Sequence, residues 1–244
     1  MTEERTRKDS TARFLDAFTE VEKYLKNKHG RGDGRHEDFG SLLVRAEKTD
    51  RAIRMYSDDL RVFANLRNLL VHQRFQNEYL AATNEGVTEQ LEKIVRTLAQ
   101  PPEVYSLFRR DVTTVTAETQ IGVALTVMAQ LELSQMPVYE NGVFAGLLTS
   151  DTVARWLGAN VKEELVVFDV PVRKVLSFRE TTEKHSFLAR QATVFEAIEA
   201  FDVYAKKGER LSAILITHQG RDTEKLLGII TIYDLPEAMK AVGQ

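Results

Sequence analysis

One pattern occurs twice in the second half of the chain, and it constrains the fold more than any other feature of the sequence. In each copy a helical segment is followed by two short apolar runs and a second helical segment. Apolar runs of this length between turn signals are typical of strands. The pattern therefore predicts a β-α-β-β-α unit of roughly 50–60 residues that is present twice. The predicted hairpin strands are Met136–Tyr139 and Val143–Leu148 in the first copy, and Ala213–Thr217 and Leu227–Ile230 in the second.

Matching residues align the two copies. Thr119, which we predict to cap the first helix of its copy, corresponds to Thr193. The last strand of each copy ends in Gly-apolar-apolar-Thr, within GLLTSDTV at 146–153 and GIITIYDL at 228–235. Asn141-Gly142 predicts a tight turn between the first pair of strands, because both residues tolerate a positive φ.

The first hundred residues predict helices alone. Apolar residues recur at helical spacing in a segment that starts at Ser10/Thr11, in a second over Phe39–Ala46 and in a third from about Asp50. Thr88 is predicted to cap a fourth helix, which ends before Pro101 because proline cannot continue it. The whole pattern predicts an α+β chain with a helical domain at 1–100, a first repeat at 101–160 and a second at 161–244.

Composition limits the classes of function. The net charge of −3 gives no overall basic field that would attract nucleic acid or an anionic membrane. The absence of cysteine excludes disulfides, thiolate metal sites and cysteine nucleophiles. No uncharged apolar run reaches the roughly 18 residues of a membrane-spanning helix, and the polar start of the chain does not look like a signal peptide. We therefore expect a cytoplasmic protein.

At its repeated motifs the chain resembles a tandem pair of CBS domains, known as a Bateman module. The second copy also has the Gly-x-x-Thr-x-x-Asp spacing of that family, through Gly228, Thr231 and Asp234. The resemblance implies two repeats packed about a pseudo-twofold axis, with clefts for an adenosyl ligand: AMP, ADP, ATP, cyclic di-AMP or S-adenosylmethionine. It implies a homodimer as well, and neither a metal nor catalytic machinery. His185 and His218 are accordingly expected to be solvated surface residues.

The resemblance also assigns binding residues. Thr231 would contact a phosphate beside the free N–H groups of a helix N-terminus, and Asp234 would accept hydrogen bonds from both ribose hydroxyls. Thr149 and Ser150 would contact the phosphate in the first copy, where Thr152 stands in place of the ribose aspartate. We therefore expect one functional site, in the second copy, rather than two. The alternative is that the two motif threonines only cap helices.

In the helical half, Arg67 and His72 fit the Arg-x4–6-His motif of HEPN domains, with Asn68 after the arginine. HEPN domains are helical bundles, some of which are metal-independent ribonucleases, and the resemblance covers about residues 10–98. Side chains five residues apart on a helix point about 140° apart, so catalysis would need two chains. There His72 would act as general acid–base and Arg67 would stabilise the developing charge.

The sequence thus favours a regulatory protein over an enzyme. In this interpretation the CBS pair binds an adenine nucleotide and signals to the helical domain or to the dimer interface. Two alternatives stay open. One is a nucleotide-gated HEPN-type ribonuclease that uses Arg67 and His72, and the other is a structural dimerisation module without a ligand. The helical domain would contact RNA or another protein.

Overall fold

The computed structural model describes residues 2–32, 37–72, 74–75, 78–79, 83–161 and 168–244, without the side chains of 2–8, 72, 74–75 and 78–79. The chain folds into two compact units. The first runs to Pro102 and also includes Lys240–Gln244, and the second is Glu103–Met239. The last five residues therefore belong with the helical unit, although the sequence analysis had grouped them with the second repeat.

Helices build the first unit, as predicted. They are α1 (Thr2–His29), α2 (Phe39–Thr49), α3 (Arg51–His72) and α4 (Glu85–Ala99), and a short antiparallel ribbon of β1 (Arg74–Phe75) and β2 (Glu78–Tyr79) lies between the last two. The apolar residues at helical spacing form the core because they share one face of each helix. Fully buried side chains include Phe14, Phe18, Leu25, Leu42, Ile53, Leu60, Leu70 and Leu91.

Two predicted helix starts in this unit are wrong. α1 extends through Ser10 and Thr11, which are buried inside it. α4 is capped by Asn84, whose side chain accepts a hydrogen bond from the Val87 N–H at 2.9 Å, and Thr88 lies within the helix. Ser10 Oγ and Thr88 Oγ1 are 2.8 Å apart. The hydroxyls thus satisfy one another between two packed helices, a use that a sequence pattern does not distinguish from capping.

The second unit contains the predicted repeat. Its first half has α5 (Val104–Phe108), β3 (Val115–Thr116), α6 (Ile121–Gln130), β4 (Gln135–Glu140), β5 (Val143–Thr149) and α7 (Ser150–Asn160). Its second half has α8 (Val172–Leu176), β6 (Glu183–Ala189), α9 (Val194–Lys206), β7 (Arg210–Thr217), β8 (Gly228–Ile230), a 3-10 turn (Ile232–Asp234) and α10 (Leu235–Ala241). The predicted α+β class and the β-α-β-β-α order of both copies are confirmed.

Each half forms a three-stranded sheet of the same topology. β3 is parallel to β4, which is antiparallel to β5, and β6 is parallel to β7, which is antiparallel to β8. The predicted turn at Asn141-Gly142 is confirmed, since the two residues have φ of 50° and 80°. The middle strand of each sheet is the first strand of the predicted hairpin.

One of the two predicted threonine caps in the repeat is wrong. Thr193 caps α9: its Oγ1 accepts from the Glu196 N–H at 3.3 Å, and its own N–H donates to Glu196 Oε2 at 2.7 Å. α6, in contrast, is preceded by Gln120, which makes no side-chain cap bond. Thr119 Oγ1 accepts a hydrogen bond from Thr116 N at 3.2 Å and so stabilises the turn before the helix.

The two repeats share part of their core. Ile121, Met136, Val138, Leu148 and Trp156 of the first repeat are buried in a cluster that also includes residues of α8. A second cluster combines Phe144 and Leu147 of β5 with Ala213 and Leu215 of β7 and with Leu226. Because β5 and β7 come from different repeats, this cluster packs one sheet against the other. It also sets the position of the cleft described next.

Candidate functional site

A cleft of about 830 Å³ opens in the second unit beside strand β5. Its wall includes Ala145 and Leu147 of that strand, Leu176 of α8 and the segment that leads into β6. Small-molecule sites in proteins have volumes of about 300–1,000 Å³ and combine apolar walls with a few polar groups. The size and lining of this cleft match such a site.

The cleft carries charges of both signs. Three carboxylates line it, and so do the cations Arg173, Arg179 and Lys184. Arg173 is paired with Glu118, and Lys184 Nζ lies 3.5 Å from a carboxylate oxygen of Glu209. Arg179 has no ion-pair partner among the residues that the structure describes. It is therefore the cation in this cleft that can bind an anionic ligand without first breaking an ion pair.

His185 also lines the cleft, and the prediction that it is a solvated surface residue is wrong. Its ring centroid lies 4.8 Å from that of Phe144 and 5.9 Å from that of Phe187. Partial burial, together with the charges of Arg179 and Lys184, lowers the pKa of His185 below its ordinary value. The neutral ring then gives the cleft an aromatic surface. His218, in contrast, is exposed as expected.

The first-copy motif lies at the junction of β5 and α7. Thr149 caps α7, because its Oγ1 accepts a hydrogen bond from the Thr152 N–H at 3.1 Å. The hydroxyl oxygens of the same two residues are 2.9 Å apart. The Ser150 side chain is exposed, and its Oγ donates to the Ser134 carbonyl at 3.2 Å. Thr149 thus has the capping role that the alternative interpretation gave it, and both threonine hydroxyls belong to one bonded pair.

The second-copy motif brings Thr231 and Asp234 together. The Thr231 N–H and Oγ1–H both donate to Asp234 Oδ2, at 2.6 and 2.9 Å. Arg110 adds a contact that the sequence did not reveal, since its Nη2 lies 3.0 Å from each Asp234 carboxylate oxygen. The Arg110 Nε–H donates to the Ile229 carbonyl at 3.0 Å, so the guanidinium is held in place. No sequence signal connects positions 110 and 234.

The helical unit has a cavity of its own, of about 610 Å³. Arg67 and Asn68 of α3 line it together with Phe18 and Phe39, and Arg67 Nη1 donates to Asn68 Oδ1 at 3.3 Å. α3 ends at His72, whose side chain lies outside the described residues. A pairing of Arg67 with His72 therefore stays a prediction, as does the HEPN resemblance.

Within the part of the chain that the structure describes, no group of three or more His, Asp or Glu side chains is arranged to hold a metal ion. None of the helices described is both long enough and apolar enough to span a membrane.

A family model and a number of solved structures match part of this chain. Residues 104–159 match the family model of the CBS domain. Among solved structures, a CBS domain-containing protein from Kribbella flavida is 16% identical with a TM-score of 0.44, over 57% of this chain and 99% of that one. A CBS-domain containing protein from Agrobacterium tumefaciens is 18% identical with a TM-score of 0.40, over 55% and 93% of the chains.

A third solved structure is a CBS domain pair in complex with 5′-methylthioadenosine and S-adenosyl-L-methionine. It is 14% identical with a TM-score of 0.42, over 57% of this chain and 97% of that one. Likenesses this low are no guide to the ligand. Comparison with curated proteins found no match.

CBS domains are generally regulatory and bind adenosyl ligands. The family model covers the first repeat, and the second repeats its strand order and motif. Residues 104–159 are therefore a CBS domain, which follows a helical N-terminal region and is followed by a second repeat of the same strand order.

Proposed function

We propose that this chain is a cytoplasmic regulatory protein that binds an adenine nucleotide, AMP, ADP or ATP, in its CBS pair. The bound state would be signalled to the helical domain or to a homodimer interface. The observation that carries the proposal is the cleft of about 830 Å³ beside β5, with its apolar wall, its aromatic His185 and its Arg179, for which the described residues offer no ion-pair partner. A nucleotide combines a flat base with an anionic group, and this cleft offers a surface for each.

The motif residues would complete two sites. In the second copy, Thr231 would contact a phosphate, and the Asp234 carboxylate, already oriented by Thr231 and Arg110, would accept the ribose hydroxyls. In the first copy, Thr149 and Ser150 lie at the start of α7, where helix N–H groups favour an anion. We assign these four residues as nucleotide contacts, with Arg179 as the cation of the first cleft.

Signalling requires that the nucleotide bind one arrangement of the protein better than another. The sheets of the two repeats pack through Phe144, Leu147, Ala213 and Leu215, so a ligand that touches both repeats can change how they pack. Hydrogen exchange of α1 to α4 with and without saturating nucleotide tests this step, and size-exclusion chromatography tests the dimer. If neither measurement responds to a nucleotide that binds, the signalling step is wrong.

The binding step is tested by thermal shift and titration calorimetry with AMP, ADP, ATP, cyclic di-AMP and S-adenosylmethionine. A ligand at a hundred times its Kd stabilises the folded protein by about 2.7 kcal/mol. At least one adenine nucleotide should raise the Tm of the wild type. Asp234→Asn should reduce the number of bound nucleotides or their affinity, because the amide replaces one carboxylate acceptor with a donor.

Asp202→Asn is the matched control. Asp202 is an exposed carboxylate of the same repeat, 2.5 Å from Lys206 Nζ, and it lies on α9 rather than in the motif. This variant should bind like the wild type. If no ligand stabilises the wild type, nucleotide binding is refuted. If Asp234→Asn and Asp202→Asn bind equally well, the assignment of Asp234 is refuted.

A further inference from the structure

The first repeat lacks a carboxylate in its own motif, and the structure places one from the second repeat beside it. Thr152 occupies the position that corresponds to Asp234. Glu183, the first residue of β6, has its Oε2 3.5 Å from Thr152 Oγ1, and its Oε1 accepts a hydrogen bond from Ser212 Oγ at 3.2 Å. The same glutamate lines the cleft beside β5.

The surroundings of Glu183 leave its carboxylate able to accept more hydrogen bonds. Its side chain is only 6% exposed, and it forms an ion pair with Arg210, whose Nη2 lies 3.7 Å from Oε2. A buried carboxylate is costly unless it is well paired. A carboxylate has about four lone-pair sites, and here they face two hydroxyls and this one guanidinium group. Two further hydroxyl groups from a ligand would satisfy the carboxylate better.

We propose that Glu183 replaces the missing aspartate, so that the first-copy cleft binds a ribonucleoside ligand through its 2′ and 3′ hydroxyls. This inference rests on the nucleotide binding proposed above and names the part of the ligand that Glu183 recognises. The ribose would lie against the Glu183 carboxylate, where that residue lines the cleft beside β5, and Thr152 and Ser212 would hold the carboxylate from behind. The first cleft is thus a working site whose carboxylate comes from the other repeat.

The experiment compares AMP with 2′-deoxyadenosine monophosphate by titration calorimetry. The Asp234→Asn variant is used as the background, so that the second-copy carboxylate is neutralised. The affinity of this variant for AMP should be at least about tenfold higher than its affinity for the deoxynucleotide, because one hydrogen bond to a charged group contributes that much. Adding Glu183→Gln should reduce the preference to less than about twofold, because the amide cannot accept both hydroxyls.

Glu180→Gln is the matched control, since Glu180 lines the same cleft and is paired with Arg155. Added to the same background, it should leave the preference for AMP intact. Circular dichroism and the Tm without ligand show whether each variant is folded. If Glu183→Gln does not fold, the affinities of Asp234→Asn for AMP and for the deoxynucleotide alone decide whether the first cleft recognises the ribose hydroxyls.

The outcomes separate this inference from the proposed function. If the wild type binds no nucleotide, both fail. If the wild type binds AMP but Asp234→Asn does not, or if Asp234→Asn binds the two nucleotides equally well, only the role of Glu183 is overturned. A preference for AMP that persists in Glu183→Gln also overturns the proposed role of Glu183.

Discussion

Replacing Gly228 with alanine should destabilise the second unit, because the backbone at Phe108 lies directly against this glycine. A Cβ atom at position 228 would be 2.2 Å from the Phe108 carbonyl oxygen and 3.1 Å from its carbon. Carbon and oxygen atoms do not pack at such distances, so the two backbones would have to separate by roughly 1 Å. Neither contact is with a flexible side chain that could turn away.

The loss in free energy of unfolding follows from the contacts that break when the two backbones separate. The segment after Phe108 is held to the start of β8 by the hydrogen bond from Arg110 N to the carbonyl of Leu227, the residue before that strand, 3.2 Å long. Its loss costs about 1 kcal/mol, and overpacking a well-packed site adds about 1–3 kcal/mol. Gly228→Ala should therefore lower the free energy of unfolding by about 2–4 kcal/mol. Arg110 would also be drawn away from Asp234.

Urea denaturation followed by circular dichroism measures this change. Gly158→Ala is the control, because no heavy atom lies within 4 Å of a Cβ built there and the residue is inside α7. An alanine in a helix interior is more stable than a glycine by about 0.5–1 kcal/mol, so the two variants should change stability in opposite directions. A Gly228→Ala variant as stable as the wild type would refute the close-approach argument.

Two further predictions concern the site and the repeat. The lowered pKa of His185 means that the unfolded chain takes up a proton more readily than the folded one, so stability should fall as the pH drops below about 6.5. His185→Gln should flatten that part of a plot of Tm against pH. An unchanged plot would show that protonation of His185 does not cause the loss of stability. Thr193→Ala should cost about 1 kcal/mol through its lost cap, and Thr119→Ala less, as urea denaturation of both variants can check.

The sequence predicts best what short-range chemistry decides. Asn141-Gly142 predicted the first hairpin because a tight turn needs two residues that accept positive φ, and both have it. The strands at 136–139 and 143–148 followed from apolar runs next to that turn. The helical unit followed from apolar spacing. In each case the residues that decide the structure lie within one turn or one helix of each other.

The misplaced helix starts have a common cause. Ser10, Thr88 and Thr119 are hydroxyl residues near the start of an apolar segment, which is also where caps occur. Two of them bond across a helix pair and the third bonds within a turn. A hydroxyl serves equally well in all three settings. Only the packing decides which one is used, and packing is not visible in a local pattern.

The parts of the site that the sequence did not reveal come from contacts between distant positions. Arg110 reaches Asp234 across 124 residues, and Glu183 reaches Thr152 across 31. His185 looked polar in sequence because its neighbour is Lys184, yet on a strand it faces the same side as Phe187. The alternation on β6 was a signal for the position of His185, whereas the contacts of Arg110 and Glu183 had none.

The two copies show that the same residue at an equivalent motif position can be required for different physical reasons. Gly228 is needed because the Phe108 carbonyl leaves no room for a side chain, whereas Gly146 has a φ of 156°, which other residues rarely adopt, although a Cβ there would meet its nearest atoms at ordinary contact distances of 3.4 Å or more. The threonine after each glycine also differs, since Thr149 accepts from its helix and Thr231 donates to Asp234. Identical residues at equivalent positions of the two copies therefore do not imply identical contacts.

Both motifs bear on how the two repeats could report a ligand. At the second-copy motif, the carboxylate is held by its own repeat and by Arg110 of the first repeat. At the first cleft, the proposed ribose site also combines groups of both repeats, with Thr152 on one side and Glu183 on the other. A ligand that satisfies groups from both repeats stabilises the arrangement in which those groups meet. The differential affinity of a ligand at either site would therefore act on how the two repeats pack, which is what coupling of binding to a change of shape requires.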